Sequence, residues 1–244
     1  MRVQTASGMV EMTMGYIFPD GVASCQIRTL HELYNTYIGY KKDGYFVEIG
    51  AFDGFNWSNT MPLITAGWSG IMVEPDPTNF KNLSARHGSN PRLQLVKAAV
   101  CNISAVIDGK VKLYLGGSTS TVEPHTVDIY RSIPSLAIGG LSHDHFVMVD
   151  ACTMDELLFT KHCPARYDVL VVDVEGGEED VLLDYTIDEH RPKMAIIEAH
   201  EHSPYSPLRA KSIYINAFFK KNGYKKVYSD QINSIFVNDR DDNG

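Results

Sequence analysis

Three acidic residues and one histidine stand where two strongly apolar runs end. Val169-Leu170-Val171-Val172 runs into Asp173-Val174-Glu175-Gly176, and Ala195-Ile196-Ile197 runs into Glu198-Ala199-His200. Carboxylates at the mouth of a buried strand are costly unless they are paired or used. If the two runs are neighbouring strands, Asp173, Glu175, Glu198 and His200 meet at one sheet edge. That set suits proton removal from an alcohol, a poor nucleophile at neutral pH. His200 is the natural base, because an unperturbed imidazole titrates near neutrality; Asp173 either orients it or takes the proton itself. The same Asp173, Glu198 and His200 also suit a Mg²⁺ or Mn²⁺ ion, with the metal-free base as the working expectation.

A second constellation lies upstream. Tyr45-Phe46-Val47-Glu48-Ile49 leads into Gly50-Ala51-Phe52-Asp53-Gly54. Gly50 lets backbone approach a ligand closely, and Gly54 permits the turn onward. The middle glycine of the dinucleotide fingerprint is missing. Glu48, just before the turn, would repel a pyrophosphate and attract an ammonium or sulfonium. Glu74 ends the next apolar run, Gly70-Ile71-Met72-Val73, and Pro75 stops it. An acid there accepts hydrogen bonds from ribose hydroxyls. S-adenosylmethionine carries a ribose, an ammonium and a sulfonium.

These groups need elements to hold them. Helical spacing of Val22, Leu30, Leu33, Tyr34, Tyr37 and Ile38 predicts a helix over 22–41. A helix after Gly54 is expected to turn Trp57, Met61 and Ile64 inward, and further helices are expected at 78–87, 178–184 and 207–222. Leu93-Gln94-Leu95-Val96 reads as a third strand. Asp108-Gly109 reads as a hairpin turn between Ala105–Ile107 and Val111–Leu115. Thr153 and Glu156 form a capping box. Lys225–Tyr228 and Ser234–Val237 make a closing pair, which sets the last strand antiparallel. Alternating strands and helices predict a doubly wound, mostly parallel α/β sheet. Residues 1–43 are expected as a helical cover and 44–240 as the main domain. Residues 116–145 show no period; such a long irregular insert is commonly functional, here as an acceptor lid.

Composition narrows the partners. The chain has 244 residues and a formal net charge of -8, which argues against nucleic acid held through phosphates. No apolar run approaches membrane-spanning length. Cys25, Cys101, Cys152 and Cys163 form no Cys-x-x-Cys pair and read as reduced thiols of a cytoplasmic protein. His143 and His145 lack cysteine partners and read as solvated loop residues, not a zinc site.

The segments 47–54, 71–77, 153–158, 167–182 and 195–200, in this order, resemble the FkbM family of methyltransferases. The Asp173-Val174-Glu175-Gly176-x-Glu178 element is the most specific part. The family usually has aspartate where Glu48 stands, asparagine at Phe52 and lysine at Val171. The resemblance implies a seven-stranded, Rossmann-like class I sheet. It also implies an S-adenosylmethionine-dependent O-methyltransferase acting on a hydroxyl of a sugar or other small molecule. Glu48, Gly50 and Glu74 carry over to cofactor binding, flanked by Ala51, Asp53, Pro75 and Asp173, with Ala98 and Ala99 near the adenine. On this reading Gly50→Val blocks the cofactor while the protein stays folded. An NAD-dependent oxidoreductase and a non-catalytic cofactor-binding protein are the alternatives.

Overall fold

The two apolar runs become neighbouring central strands. In the computed structural model, residues 2–5, 8–11, 27, 30–39, 41, 43–133, 140–203 and 206–240 are described. The strands are β1 (Arg2–Thr5), β2 (Gly8–Glu11), β3 (Tyr45–Ile49), β4 (Ser69–Val73), β5 (Leu93–Val96), β6 (Ala99–Val100), β7 (Lys110–Tyr114), β8 (Phe146–Cys152), β9 (Arg166–Val172), β10 (Arg191–Glu198), β11 (Tyr224–Ser229) and β12 (Asn233–Asn238). The helices are α1 (Leu30–Tyr37), α2 (Met61–Thr65), α3 (Pro77–His87), α4 (Pro124–Ser132), α5 (Met154–Thr160), α6 (Glu178–Leu183) and α7 (Ser206–Lys221).

Seven strands form the main sheet in the order β11-β12-β10-β9-β3-β4-β5. β10, β9, β3, β4 and β5 are parallel, and β12 runs antiparallel to both of its neighbours. The expected class and the antiparallel last strand are therefore observed. Side-chain alternation splits the core in two. Val47, Ile49, Leu170, Val172, Ala195 and Ile197 face Leu157 of α5, Val181 of α6 and Phe219 of α7. Phe46, Met72, Val169, Val171, Met194 and Ile196 face Leu30 and Tyr34 of α1, Leu63 of α2 and Leu83 of α3. Strands covered on both faces read as continuous apolar runs, which is why β9 and β10 stood out.

A smaller sheet, β6-β8-β7, flanks the main one. Here several expectations change. Asp108 and Gly109 do adopt left-handed φ of 52° and 74°, as a tight turn requires. The arm before them, however, holds only the bridge Ile107–Lys110 after a 3₁₀ turn at Ile103–Ala105, and β7 pairs with β8 instead. α2 starts beyond Trp57, which is 53% exposed; Leu63 is the residue it buries. The described residues of the insert hold a 3₁₀ turn at Gly117–Thr119 and α4, which buries Thr126, Val127 and Tyr130. Its residues 134–139 lie outside the described ones, as do Val22, Cys25 and 241–244. Among the described residues before β3, α1 is preceded by the antiparallel pair β1–β2. Among the described residues Cys101, Cys152 and Cys163 are free thiols, and no helix is long and apolar enough to cross a membrane.

Phe219 is fully buried, its ring stacked 4.3 Å from Phe236 and edge-on to Tyr224 at 5.3 Å. Phe219→Ala should destabilise the fold by about 3–5 kcal/mol in urea titrations, through lost transfer energy and the cavity left behind. A loss below about 1 kcal/mol would remove α7 from the core account.

Candidate active site

At the carboxyl ends of β3, β4 and β9 an open cleft of about 880 Å³ is lined by Glu48, Gly50, Ala51, Phe52, Glu74, Pro75, Ala98, Ala99, Asp173 and Glu175, with Asn56–Asn59, Gly117, Ser118, Ser120 and Val122 completing the walls. This is where an open α/β sheet places its ligand.

The turn after β3 is fixed by backbone contacts. Gly50 and Ala51 donate their N–H groups to Val73 O at 3.0 and 2.9 Å, and Asp173 N–H donates to Ile49 O at 2.9 Å. Gly50 has φ +88°, and a Cβ added there would lie 1.7 Å from Asp173 O. The glycine is required by the crossing of two strand ends. A side chain at position 50 would meet that carbonyl, so Gly50→Val should disturb the sheet mouth as well as the cofactor's approach. Gly54, at φ +69°, lies under Leu83 and His87; the His87 ring nitrogen is 2.9 Å from Gly54 O.

Two buried acids line the cleft. Glu48 accepts from Thr60 Oγ1 at 2.8 Å. Burial, with Asp173 and Glu74 nearby, pushes its carboxyl up to about 8. Glu74 accepts from Phe52 N at 2.8 Å and from Asp76 N at 2.8 Å, tying the left-handed Phe52 (φ 50°) to the end of β4. Burial pushes Glu74 up to about 7. Desolvation disfavours an uncompensated anion, and a cationic ligand would reverse that. Asp53 turns away from the cleft. It accepts from Phe55 N, Asn56 N and Asn56 Nδ2 at 2.9, 2.8 and 2.6 Å, so its carboxylate shapes the loop instead of lining the cavity. Motif reading missed Thr60 and the Asn56–Asn59 wall, which α1 supports through Tyr34 Oη donating to Asn59 O at 2.9 Å.

Across the cleft the two strand ends converge. Carboxylate oxygens of Asp173, Glu175 and Glu198 lie within 4.8 Å of one another. His200 is drawn the other way: its Nε2 sits 3.1 Å from Glu198 Oε1, and neither Glu198 nor His200 lines the cleft. Of the expected Asp173, Glu198 and His200, the structure gathers Asp173 and Glu198 with Glu175, and His200 pairs with Glu198 outside the cleft lining. Glu178 accepts from Val174 N at 2.9 Å and Gly176 N at 3.1 Å, shaping the turn that aims Glu175. Tyr130 of α4 donates to Glu175 at 2.6 Å. Burial, then neighbouring carboxylates, raises Glu175 and Glu198 well above the usual range. Glu175 and His200 hold left-handed φ of 57° and 47°, strain that persists only where the surroundings impose it.

The sequence pattern of the methyltransferase FkbM domain matches residues 48–226, which include all the cleft-lining residues from Glu48 to Glu175. The chain belongs to the FkbM methyltransferase family. A comparison with curated protein sequences finds no match. Among solved structures, this FkbM chain is similar to the O-methyltransferase from Bacillus cereus in complex with SAH (10% identity, 93% of this chain and 84% of that one, TM-score 0.46). It is also similar to a precorrin-6y C5,15-methyltransferase from Geobacter metallireducens (11% identity, 91% and 95% covered, TM-score 0.46).

Gly50→Ala in this FkbM methyltransferase should cost at least about 2 kcal/mol of stability, because it combines a strained φ with a backbone clash. Denaturant titration checks it; a variant as stable as the parent would mean the two strand ends do not cross so closely.

Proposed function

We propose that the chain is an S-adenosylmethionine-dependent O-methyltransferase acting on a hydroxyl of a sugar or other small molecule. The observation that carries the reading is the pairing of two buried acids, Glu48 and Glu74, in one cleft with no cation beside either in their hydrogen-bond shells. Each has a different natural partner on the cofactor. Glu48 balances the ammonium and sulfonium charge. Glu74 keeps lone pairs beyond its two backbone bonds and accepts from the ribose hydroxyls. Ala51 and Pro75 supply wall, Gly50 supplies close backbone approach, and Ala98 and Ala99 flank the adenine. S-adenosylmethionine supplies an electrophilic methyl group on sulfur.

The chain's task is then to hold an acceptor oxygen in line and to remove its proton. Asp173 lines the cleft and is the group we assign to the proton. His200 acts through Glu198 instead of on the acceptor. In this reading residues 1–43 are the cover, 44–240 the catalytic domain and 116–145 the acceptor lid, whose Gly117–Val122 stretch already walls the cleft. Excluding water and fixing the acceptor both favour transfer. The net charge of -8 and the free thiols suit a small-molecule acceptor in a reducing, cytoplasmic setting, without nucleic acid.

Calorimetry with S-adenosylhomocysteine tests the site. The parent should bind it and ignore NAD, and Glu74→Gln should weaken binding by about 1.5–3 kcal/mol, the scale of a hydrogen bond to a charged group. Equal affinity in the variant would sink the ribose assignment.

A proton linkage follows from Glu48. With its carboxyl near 8, free Glu48 is protonated at neutral pH. A bound ammonium favours the carboxylate, so its pKa falls and a proton is released. Affinity for S-adenosylhomocysteine should therefore rise between about pH 6.5 and about pH 8.5. Calorimetric heats in two buffers of different ionisation enthalpy should differ accordingly. Identical heats would show that no proton leaves.

A further inference from the structure

From the meeting of β9 and β10 we infer that Asp173, Glu175 and Glu198 hold a divalent cation of the Mg²⁺ or Mn²⁺ class. The inference rests on the methyltransferase reading for its purpose but not for its geometry. Three carboxylate oxygens from three residues lie within 4.8 Å of one another. An ion taking oxygens at about 2.0–2.2 Å holds neighbouring ligands roughly 3 Å apart and opposite ones a little over 4 Å, so the cluster would close by a few tenths of an ångström around one ion. A second observation points at the same centre. Glu198 is 5% exposed, and its Oε2 is buried with no hydrogen-bond partner among the described residues. A buried carboxylate oxygen left this way loses its hydration without replacement.

The surroundings leave that role open to an ion. Lys211 spends its ammonium on Gly176 O and on Glu123 at 3.2 Å. His200 approaches only the other oxygen of Glu198, at 3.1 Å. Tyr130 donates to Glu175 Oε2 at 2.6 Å, which fixes that carboxylate's rotation and leaves its second oxygen to the ion. Asp173 and Glu175 line the cleft while Glu198 sits behind them, so the ion has protein on one side and acceptor space on the other. A cation there would bind an acceptor hydroxyl and lower its pKa, and the proton would leave to water, with Asp173 serving as a ligand in place of the proton acceptor it is in a metal-free site. His200 then serves as a positioning residue for Glu198, a shell of the kind that orients metal ligands.

The experiment uses the full chain, stripped with EDTA and titrated with Mn²⁺ alone, with the free-ion electron paramagnetic resonance signal as readout. One Mn²⁺ per chain is expected, displaced by excess Mg²⁺. Glu198→Gln and, independently, Glu175→Gln should each weaken Mn²⁺ binding by at least about tenfold. Both variants lose a buried charge, and their melting curves report whether they fold. S-adenosylhomocysteine binding by Glu198→Gln, measured in parallel, should match the parent. Absent Mn²⁺ binding in the parent, or unchanged binding in a folded variant, overturns the site. Mn²⁺ binding that survives while S-adenosylhomocysteine binds no form of the protein leaves the cation site standing and sinks the cofactor reading instead.

Discussion

Everything at the sheet mouth depends on one close approach, the Asp173 carbonyl lying where a side chain of residue 50 would begin. The first loop can cross the end of β9 only because Gly50 has no Cβ. That crossing brings the glycine turn and Asp173 to the same cleft. It also fixes the neighbours. With Gly50 and Ala51 donating to Val73 O, the turn is laid over the end of β4, and Glu74 receives Phe52 N–H. Glu74 is thus a structural acceptor before it is anything else.

The same compactness creates an electrostatic problem. Glu48, Glu74, Glu178 and Glu198 are all buried, and burial raises the carboxyl of each. Two of them are relieved from inside: Glu178 by two backbone amides and Glu74 by two more. Glu48 has two hydroxyls, those of Thr60 and Ser58, and Glu198 has an orphan oxygen among the described residues. A group whose folded-state pKa is raised loses stability as pH climbs from the ordinary carboxyl range toward the raised value. A protein that tolerates such groups where it binds ligands is less stable without them than it would otherwise be. The two acids with the least internal relief are those to which we assign cations.

How much of this was legible in the residues follows from the physics of each part. Buried parallel strands announce themselves as unbroken apolar runs, so β3, β4, β9 and β10 were placed to within a few residues, along with the acids ending them. The β9–β10 adjacency was legible too, and it brought Asp173 to Glu198. Side-chain direction was not. Asp53 sits inside the glycine motif yet turns back on its own loop, and His200 lies beyond Glu198, because positive φ at His200 re-aims the chain after the strand. Spacing along a sequence carries no record of such a bend. α4 escaped because its nine residues show only one buried stripe, though Pro124 at its first turn was a start signal. β8 escaped because two of its outward positions carry Phe146 and Met148, so the alternation seen in its burial is absent from its residue types.

The insert is the piece that joins these observations. α4 reaches the acidic centre through Tyr130, and the turn preceding it reaches β4's end through Ser120, which donates to Asp76 at 2.9 Å, and through Asn79, which donates to Gly117 O at 2.9 Å. Glu123, the N-cap of α4, pairs with Lys211 of α7. One segment is therefore tethered to the cofactor side of the cleft, to the carboxylate side and to the last helix. Such a segment cannot shift without disturbing Asp76 and Glu175 together. On the proposed reading, an ion at the carboxylate cluster and an acceptor at the wall would meet the same segment, the first through Tyr130 and the second through the Gly117–Val122 stretch.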